Sequence, residues 1–216
     1  VFLEKISATA ELNFGLIIAL MRNLKLAIED VKLGNWNRKH LVGSELQKKT
    51  IGIIGLGRIG RKLAFFCESF GMKVIYFDKE INDDYFKKIK SLKSLVSQSD
   101  IISLNISSEV QNKNFIDKDI ISSFKKGSYF INTSRGFLID ENYLANSLKE
   151  KKLNGVALDV VSEEYSSLKK NKFFKLMNEG YNVILTPHIG GASFESMKLT
   201  EIFIAKKIKK VIKKLN

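Results

Sequence analysis

Cysteine occurs once, as Cys67, so no disulfide can close within the chain. A lone thiol on the apolar side of a helical pattern suits a reducing compartment and a place in the core. Histidine occurs twice, at positions 40 and 188. Two imidazoles and one thiol so far apart make no metal-ligand set. The single proline, Pro187, falls just after a candidate strand, where it removes no ladder hydrogen bond. No apolar run approaches the roughly 20 residues that span a bilayer, and no secretory leader is visible, so the cytoplasm is the default expectation. Acidic residues are scarce relative to basic ones, 23 against 36, for a formal charge of +13. Such an excess can serve nucleic acid or an anionic membrane. Here the lysines are scattered through every segment and no reader motif accompanies them. The expectation is a Lys-rich solvated surface biased toward an anionic cofactor, with no nucleic-acid and no membrane partner. The chain opens on Val1 rather than Met, so upstream residues are expected to have been removed or left out.

The stretch Thr50–Gly60, TIGIIGLGRIG, organises what is present. Thr50–Ile54 is β-branched and apolar, as a buried strand requires. Gly55, Leu56, Gly57, Arg58, Ile59 and Gly60 then form a G-x-G-x-x-G turn that opens a helix. Gly55 makes the tight turn, Gly57 admits a pyrophosphate close to the backbone, and Gly60 lets helix and strand approach. The helix N-terminus supplies free N–H groups and partial positive charge for the anion. A second strand, Lys73–Phe77, ends in Asp78, eighteen residues past Gly60. That is near the spacing of roughly 20 for a carboxylate on the adenosine ribose. Dinucleotide binding is the favoured reading.

Ala8–Leu33 reads as one long helix with two apolar stripes, Leu12/Leu16/Leu20/Leu24 and Phe14/Ile18/Met21. Two such faces place it across a core or against another subunit. Trp36, in the polar loop after Gly34, is read as a dimer contact, with an intrachain plug as the alternative. From Thr50 onward, strands at 50–54, 73–77, 100–104, 129–133, 155–160 and 182–186 alternate with helical patterns at 117–124, 140–149 and 169–178. That alternation predicts a doubly wound parallel α/β sheet, a Rossmann dinucleotide-binding fold, as one domain over 1–216. Segment 79–99 is left open apart from a helix hint at Leu92 and Leu95. The last helix, 193–215, is basic and amphipathic; packing is preferred over a membrane surface.

In an open α/β sheet, ligands sit beyond the carboxyl ends of the strands. The unusual residues fall there: the glycine turn, Asp78, Asn105 and Ser107, then Ser134, Arg135 and Gly136. Asp159 with Glu163 and Glu164 follows, and lastly Pro187, His188, Gly190 and Gly191. His188 suits proton exchange near neutrality. Glu164 suits holding its ring, and Arg135 a substrate carboxylate. With a nicotinamide these make a hydride-transfer site for a 2-keto or 2-hydroxy acid. The plainer alternatives are a hydrogen-bonded loop histidine and a structural Arg135–Glu164 ion pair. His40, without an acidic neighbour, reads as surface.

These residues resemble the NAD-binding domain of the D-isomer-specific 2-hydroxyacid dehydrogenases. The likeness rests on Ala8–Leu12 and its helix, Trp36 and Arg38, Gly52–Gly60, Ser99–Leu104, Ile131–Gly136, Gly155–Val160 and Thr186–Gly191. It implies that Arg135 binds and polarises the substrate, that Glu164 partners the histidine, and that His188 is the acid/base. It also implies that Thr133 and Asp159 lie on the nicotinamide side, with Asp78 at the ribose. The cofactor-binding expectation therefore covers Gly55, Gly57, Arg58, Ile59, Gly60 and Asp78. It continues through Asn105, Ser107, Asn112, Thr133, Ser134 and Arg135 to Asp159, His188, Gly190 and Gly191. The cofactor is NAD, since Asp78 repels a 2′-phosphate, although Lys79 stands beside it. The helix and tryptophan loop, 8–38, imply a homodimer.

Three departures stand out. Asn105 and Ser107 replace the family's usual His and Pro, Tyr165 replaces a proline after Glu164, and the family's substrate domain is largely absent. Two rival readings remain, a non-catalytic NAD(H) sensor or scaffold of the same fold and a nucleic-acid binder driven by charge.

Overall fold

The computed structural model describes residues 6–107, 113–164 and 167–215. Seven parallel strands form one sheet in the order β3-β2-β1-β4-β5-β6-β7. The first two are β1 (Thr50–Ile54) and β2 (Lys73–Phe77), with β3 (Lys87–Lys88) at the edge. The others are β4 (Ile101–Leu104), β5 (Ser128–Asn132), β6 (Leu153–Leu158) and β7 (Val183–Leu185). The order reverses between β1 and β4, which opens a crevice at their carboxyl ends. Strand residues alternate between two cores. Ile54, Ile102, Phe130 and Val156 face a layer of α4 (Leu92–Gln98), α5 (Lys118–Ser122), α6 (Glu141–Lys149) and α7 (Lys172–Asn178). Ile51, Ile53, Ile101 and Ile131 face α1 (Ala8–Met21) and α3 (Arg58–Ser69). Buried on both faces, the strands need the β-branched runs seen in the sequence.

The doubly wound sheet expected from the sequence is present, with shifts at its ends. β6 begins two residues before the expected 155 and stops at Leu158, which leaves Asp159 beyond the strand. The segment 79–99 holds the two-residue β3 and the helix α4. Cys67 is fully buried in α3, and burial pushes its thiol up to about 12.

The single helix expected over 8–33 is two helices, α1 and α2 (Leu24–Lys32). The returning loop breaks it. Ser44 N–H donates to the Met21 carbonyl at 2.8 Å, and the Asn182 amide donates to the Leu20 carbonyl at 3.1 Å. Carbonyls captured in this way no longer serve the next helical turn. Asn23 then turns the chain with φ 52°, in the left-handed region that Asn tolerates. A Cβ on Gly43 would lie 2.4 Å from the same Met21 carbonyl, so the loop passes only as glycine. The consequence reaches the apolar stripes. α1 buries Leu16, Ile17, Leu20 and Met21, whereas α2 buries nothing and leaves Leu24, Ile28 and Val31 exposed.

The last helix, α8 (Phe194–Leu215), follows the expected span. Its apolar residues Ile204, Ile208, Val211 and Ile212 are each about half exposed rather than packed. No helix of the described residues is long and apolar enough to cross a membrane.

Candidate functional site

The glycine turn behaves as its spacing predicts. Gly55 adopts φ +91°, and a Cβ there would lie 2.7 Å from the Asn105 carbonyl. A Cβ on Gly60 would lie 2.0 Å from the Gly55 carbonyl, so helix and strand touch only through glycine. A Cβ on Gly57 would point into open space, with nothing beyond its chain neighbours within 4 Å. That open position faces the start of α3, whose first residues are Arg58 and Ile59. A group with the size and charge of a pyrophosphate fits this cradle, because first-turn N–H groups lack intrahelical partners.

A cleft of about 500 Å³ continues from Gly57 past Asp78 to Ile81, Asn105, Ile106, Ser107 and Phe115. The Asp78 carboxylate accepts N–H donors from Leu56 at 2.8 Å and from Glu80 and Ile81 at 2.9 Å. Burial alone would raise its pKa. Those three donors, helped by the charge of Lys88, outweigh burial and hold it below the usual carboxylate value. Lys79 lies over the Phe115 ring at 5.4 Å. Phe115 and Ile81 did not stand out in the sequence, since an isolated apolar residue in a loop carries no motif.

On the other side of the crevice, Asn13 reaches from α1 to the strand ends. It is fully buried and donates to Ser103 Oγ at 3.0 Å and Thr133 Oγ1 at 2.9 Å. Asn105 turns inward onto this cluster and donates to the Ser103 carbonyl and hydroxyl. Its amide hydrogens are thus committed to the protein interior. Asn13 was missed by sequence reasoning, although a polar residue among Ala10, Leu16 and Ile17 on the core face was the available signal. Ser134 lies beside this cluster with its hydroxyl on the Leu104 carbonyl at 2.8 Å. Asn112 lies outside the described residues.

Three loops beyond β5, β6 and β7 carry the catalytic candidates. His188 Nδ1 and Glu164 Oε2 are 2.7 Å apart, with side chains 43% and 22% exposed. This pair, rather than an Arg135–Glu164 ion pair, is what the structure forms. Arg135 is exposed and donates to the Ser134 carbonyl at 2.7 Å. His188 holds the left-handed φ of 54°, uncommon for a residue with a side chain. Asp159 explains how. Its carboxylate is buried and accepts from Thr186 Oγ1 and Ile189 N–H on one oxygen and Gly190 N–H on the other. Its carbonyl accepts the His188 N–H at 2.9 Å. Asp159 therefore shapes the histidine loop from beneath. Gly190 suits that closeness, since a Cβ would sit 3.0 Å from Asp159 Oδ2, whereas Gly191 has open space. An apolar cleft of about 690 Å³ adjoins the pair, lined by Val161, Glu164, Leu168, Pro187 and His188.

All seven strands are parallel, so His188 and Gly57 lie at one edge of the sheet. Among the described residues, no three His, Cys, Asp or Glu side chains are grouped to hold a metal ion.

The sequence profile of the D-isomer-specific 2-hydroxyacid dehydrogenase NAD-binding domain matches residues 14–190. The chain belongs to this family. It is 38% identical over 193 residues to a D-3-phosphoglycerate dehydrogenase of Haemophilus influenzae, covering 88% of this chain and 47% of that one. It is 34% identical to a glyoxylate reductase of Thermococcus litoralis, covering 93% and 62%. The chain thus spans about half to two thirds of these relatives. Among solved structures, the Aquifex aeolicus D-lactate dehydrogenase complexed with NAD and lactic acid superposes with a TM-score of 0.87 at 31% identity, over 95% of this chain and 66% of that one. An acyclic imino acid reductase with NADPH and D-Arg gives 0.85 at 31%, over 96% and 65%.

Proposed function

We propose that this chain binds NAD(H) along the crevice between β1 and β4 and supplies the catalytic groups of a 2-hydroxyacid dehydrogenase. The observation that carries the proposal is the 2.7 Å contact between His188 and Glu164 at the sheet edge that also bears the glycine turn. Gly55, Gly57 and Gly60, with Arg58 and Ile59, receive the pyrophosphate, and Asp78 the adenosine ribose. Asn105, Ser107, Thr133 and Ser134 border the nicotinamide half, under which Asp159, Gly190 and Gly191 form the floor.

NADH, when bound, supplies the hydride for the substrate carbonyl carbon. Arg135 extends from its exposed loop to hold the substrate carboxylate and polarise the carbonyl. Glu164 accepts from Nδ1 of His188, so that Nε2 faces the substrate; in the doubly protonated imidazolium form Nε2 gives its proton to the carbonyl oxygen, leaving the neutral Nδ1–H ring. In the reverse direction the same Nε2 takes that proton from the alcohol. The relatives' greater length fits a substrate cleft whose other wall lies outside this chain. NAD is preferred to NADP because the Asp78 carboxylate opposes a 2′-phosphate.

A homodimer through residues 8–38 is part of this reading. It is supported by the exposure of Ile28, Val31, Leu33 and Trp36 on and after α2. The cytoplasm suits the lone, buried thiol.

The test uses the longest natural form of the protein and NADH oxidation dependent on 2-keto acids. His188→Gln is expected to slow turnover about 10²- to 10⁴-fold with NADH affinity retained. NADH binding without turnover, or a rate indifferent to His188, would support the non-catalytic sensor instead.

A further inference from the structure

Residues 135–141 carry Arg135 at one end and Glu141 at the other, and between them they grip the loop that bears Glu164. Glu141 is the first residue of α6, after the cap Asp140, whose side chain accepts Tyr143 N–H at 3.0 Å. A carboxylate in the first turn of a helix is favoured by the helix dipole and ordinarily stays in water. This one is 9% exposed. Its Oε1 accepts the backbone N–H of Ser162 at 2.7 Å. Burial raises its pKa, opposed by the Ser162 backbone and side chain and by Lys172, while the charge of Glu163 adds to the rise. A carboxylate held against that cost needs a structural reason.

The reason lies in the loop it holds. Gly136 packs against the same Val161–Ser162 peptide; a Cβ there would be 2.0 Å from the Val161 carbonyl carbon and 2.2 Å from Ser162 N. The peptide before Ser162 is thus fixed by packing at Gly136 and by a charge-assisted hydrogen bond at Glu141. Glu164 follows two residues later, a reach of at most about 7 Å of chain. Its Oε2 meets His188 Nδ1 at 2.7 Å. A loop free to shift by an ångström at Ser162 would break that contact.

We infer that Glu141 is a positioning residue for the Glu164–His188 pair, acting through the Ser162 N–H to keep His188 Nδ1 a donor. The inference rests on the hydride-transfer reading of that pair, and it ties the Arg135 segment to the Glu164 loop, so the substrate-binding and proton-transfer groups share one support.

The chain has only two histidines, and His40 is exposed, which makes the tautomer of His188 directly readable. The experiment is ¹⁵N–¹H correlation of histidine-labelled chain at about pH 8, where an unperturbed imidazole is neutral. Wild-type protein is expected to show His188 chiefly as the Nδ1–H tautomer. E141Q, which keeps an acceptor for Ser162 N–H, should match it. E141A should lose at least half of that population and approach the mixture shown by His40, with AMP binding at the distant adenosine cleft unchanged. Should E141A fail to fold, E141M fills the volume without an acceptor and carries the same comparison. The inference is overturned if E141A, or E141M in its place, keeps the wild-type tautomer while E164A loses it, or if E141Q behaves as E141A does. If E164A, which has no acceptor, also keeps the wild-type tautomer, the pair itself is not what sets His188, and the hydride-transfer reading fails with it.

Discussion

The two halves of the cleft are built differently. Around β1 and β2 the backbone does the work: Gly55, Gly57 and Gly60 shape the turn, and three N–H groups lock Asp78. Around β5, β6 and β7 side chains hold loops. Asp159 secures the His188 loop, Glu141 the Glu164 loop, and Arg135 stays exposed, its side chain bonded only to the adjacent Ser134 carbonyl among the described residues. On the proposed reading, the groups that meet the adenosine half are those of β1, β2 and the glycine turn. The proposed catalytic half has its loops held by buried carboxylates, with His188 and Arg135 left accessible to solvent.

Changes at the glycine turn should break this contrast most strongly. Gly60→Val drives a side chain into the Gly55 carbonyl and is expected to destabilise the fold by about 3 kcal/mol, measured by chemical denaturation. Gly57→Val enters open space in an extended conformation, so stability should stay within about 0.5 kcal/mol, while calorimetry shows NADH affinity falling more than about tenfold, a cost of over 1.4 kcal/mol. A Gly57→Val chain that binds NADH normally would remove the pyrophosphate from this turn.

A smaller effect is expected at Asp78. Its pKa is lowered in the folded chain, so its stabilising contribution is present at neutral pH. That contribution is lost as pH falls below the unfolded value of about 3.9 and through the folded one. Thermal melts of wild type and Asp78→Asn should differ at pH 7 and converge toward pH 3. The same substitution should narrow the preference for NADH over NADPH. On α2, Ile28→Asp should leave the melting temperature nearly unchanged and shift the chain from dimer to monomer by light scattering. A wild-type chain of monomer mass, or a dimer mass unchanged by the substitution, would contradict a dimer contact on α2.

Legibility in the sequence follows the same division. Strand cores were readable because burial on both faces forces runs such as Ile51–Ile54, and the glycine turn because Gly55 and Gly60 are held to glycine by close backbone contacts while Gly57 leaves its position open. His188 was found as one of only two histidines, at a strand end, and Glu164 as a carboxylate past the end of the preceding strand. What escaped depended on distant partners. The break at Asn23 is set by Ser44 and Asn182 capturing helix carbonyls, and neither lies near it in sequence. Asn13 is separated from Thr133 by 120 residues, and Glu141 from Ser162 by 21. Local pattern carries no trace of such pairings. Asp159 was placed at the correct edge, but its hold on the 186–190 loop emerged only from the geometry.

The central claim is that one dinucleotide lies along this edge with its nicotinamide end at the His188–Glu164 pair. Histidine-ring NMR of the chain during titration with NADH, and separately with AMP, tests it directly. The account predicts that NADH shifts the His188 ring resonances and leaves His40 in place, while AMP binds without moving His188. Saturation with NADH that leaves His188 unmoved would contradict it.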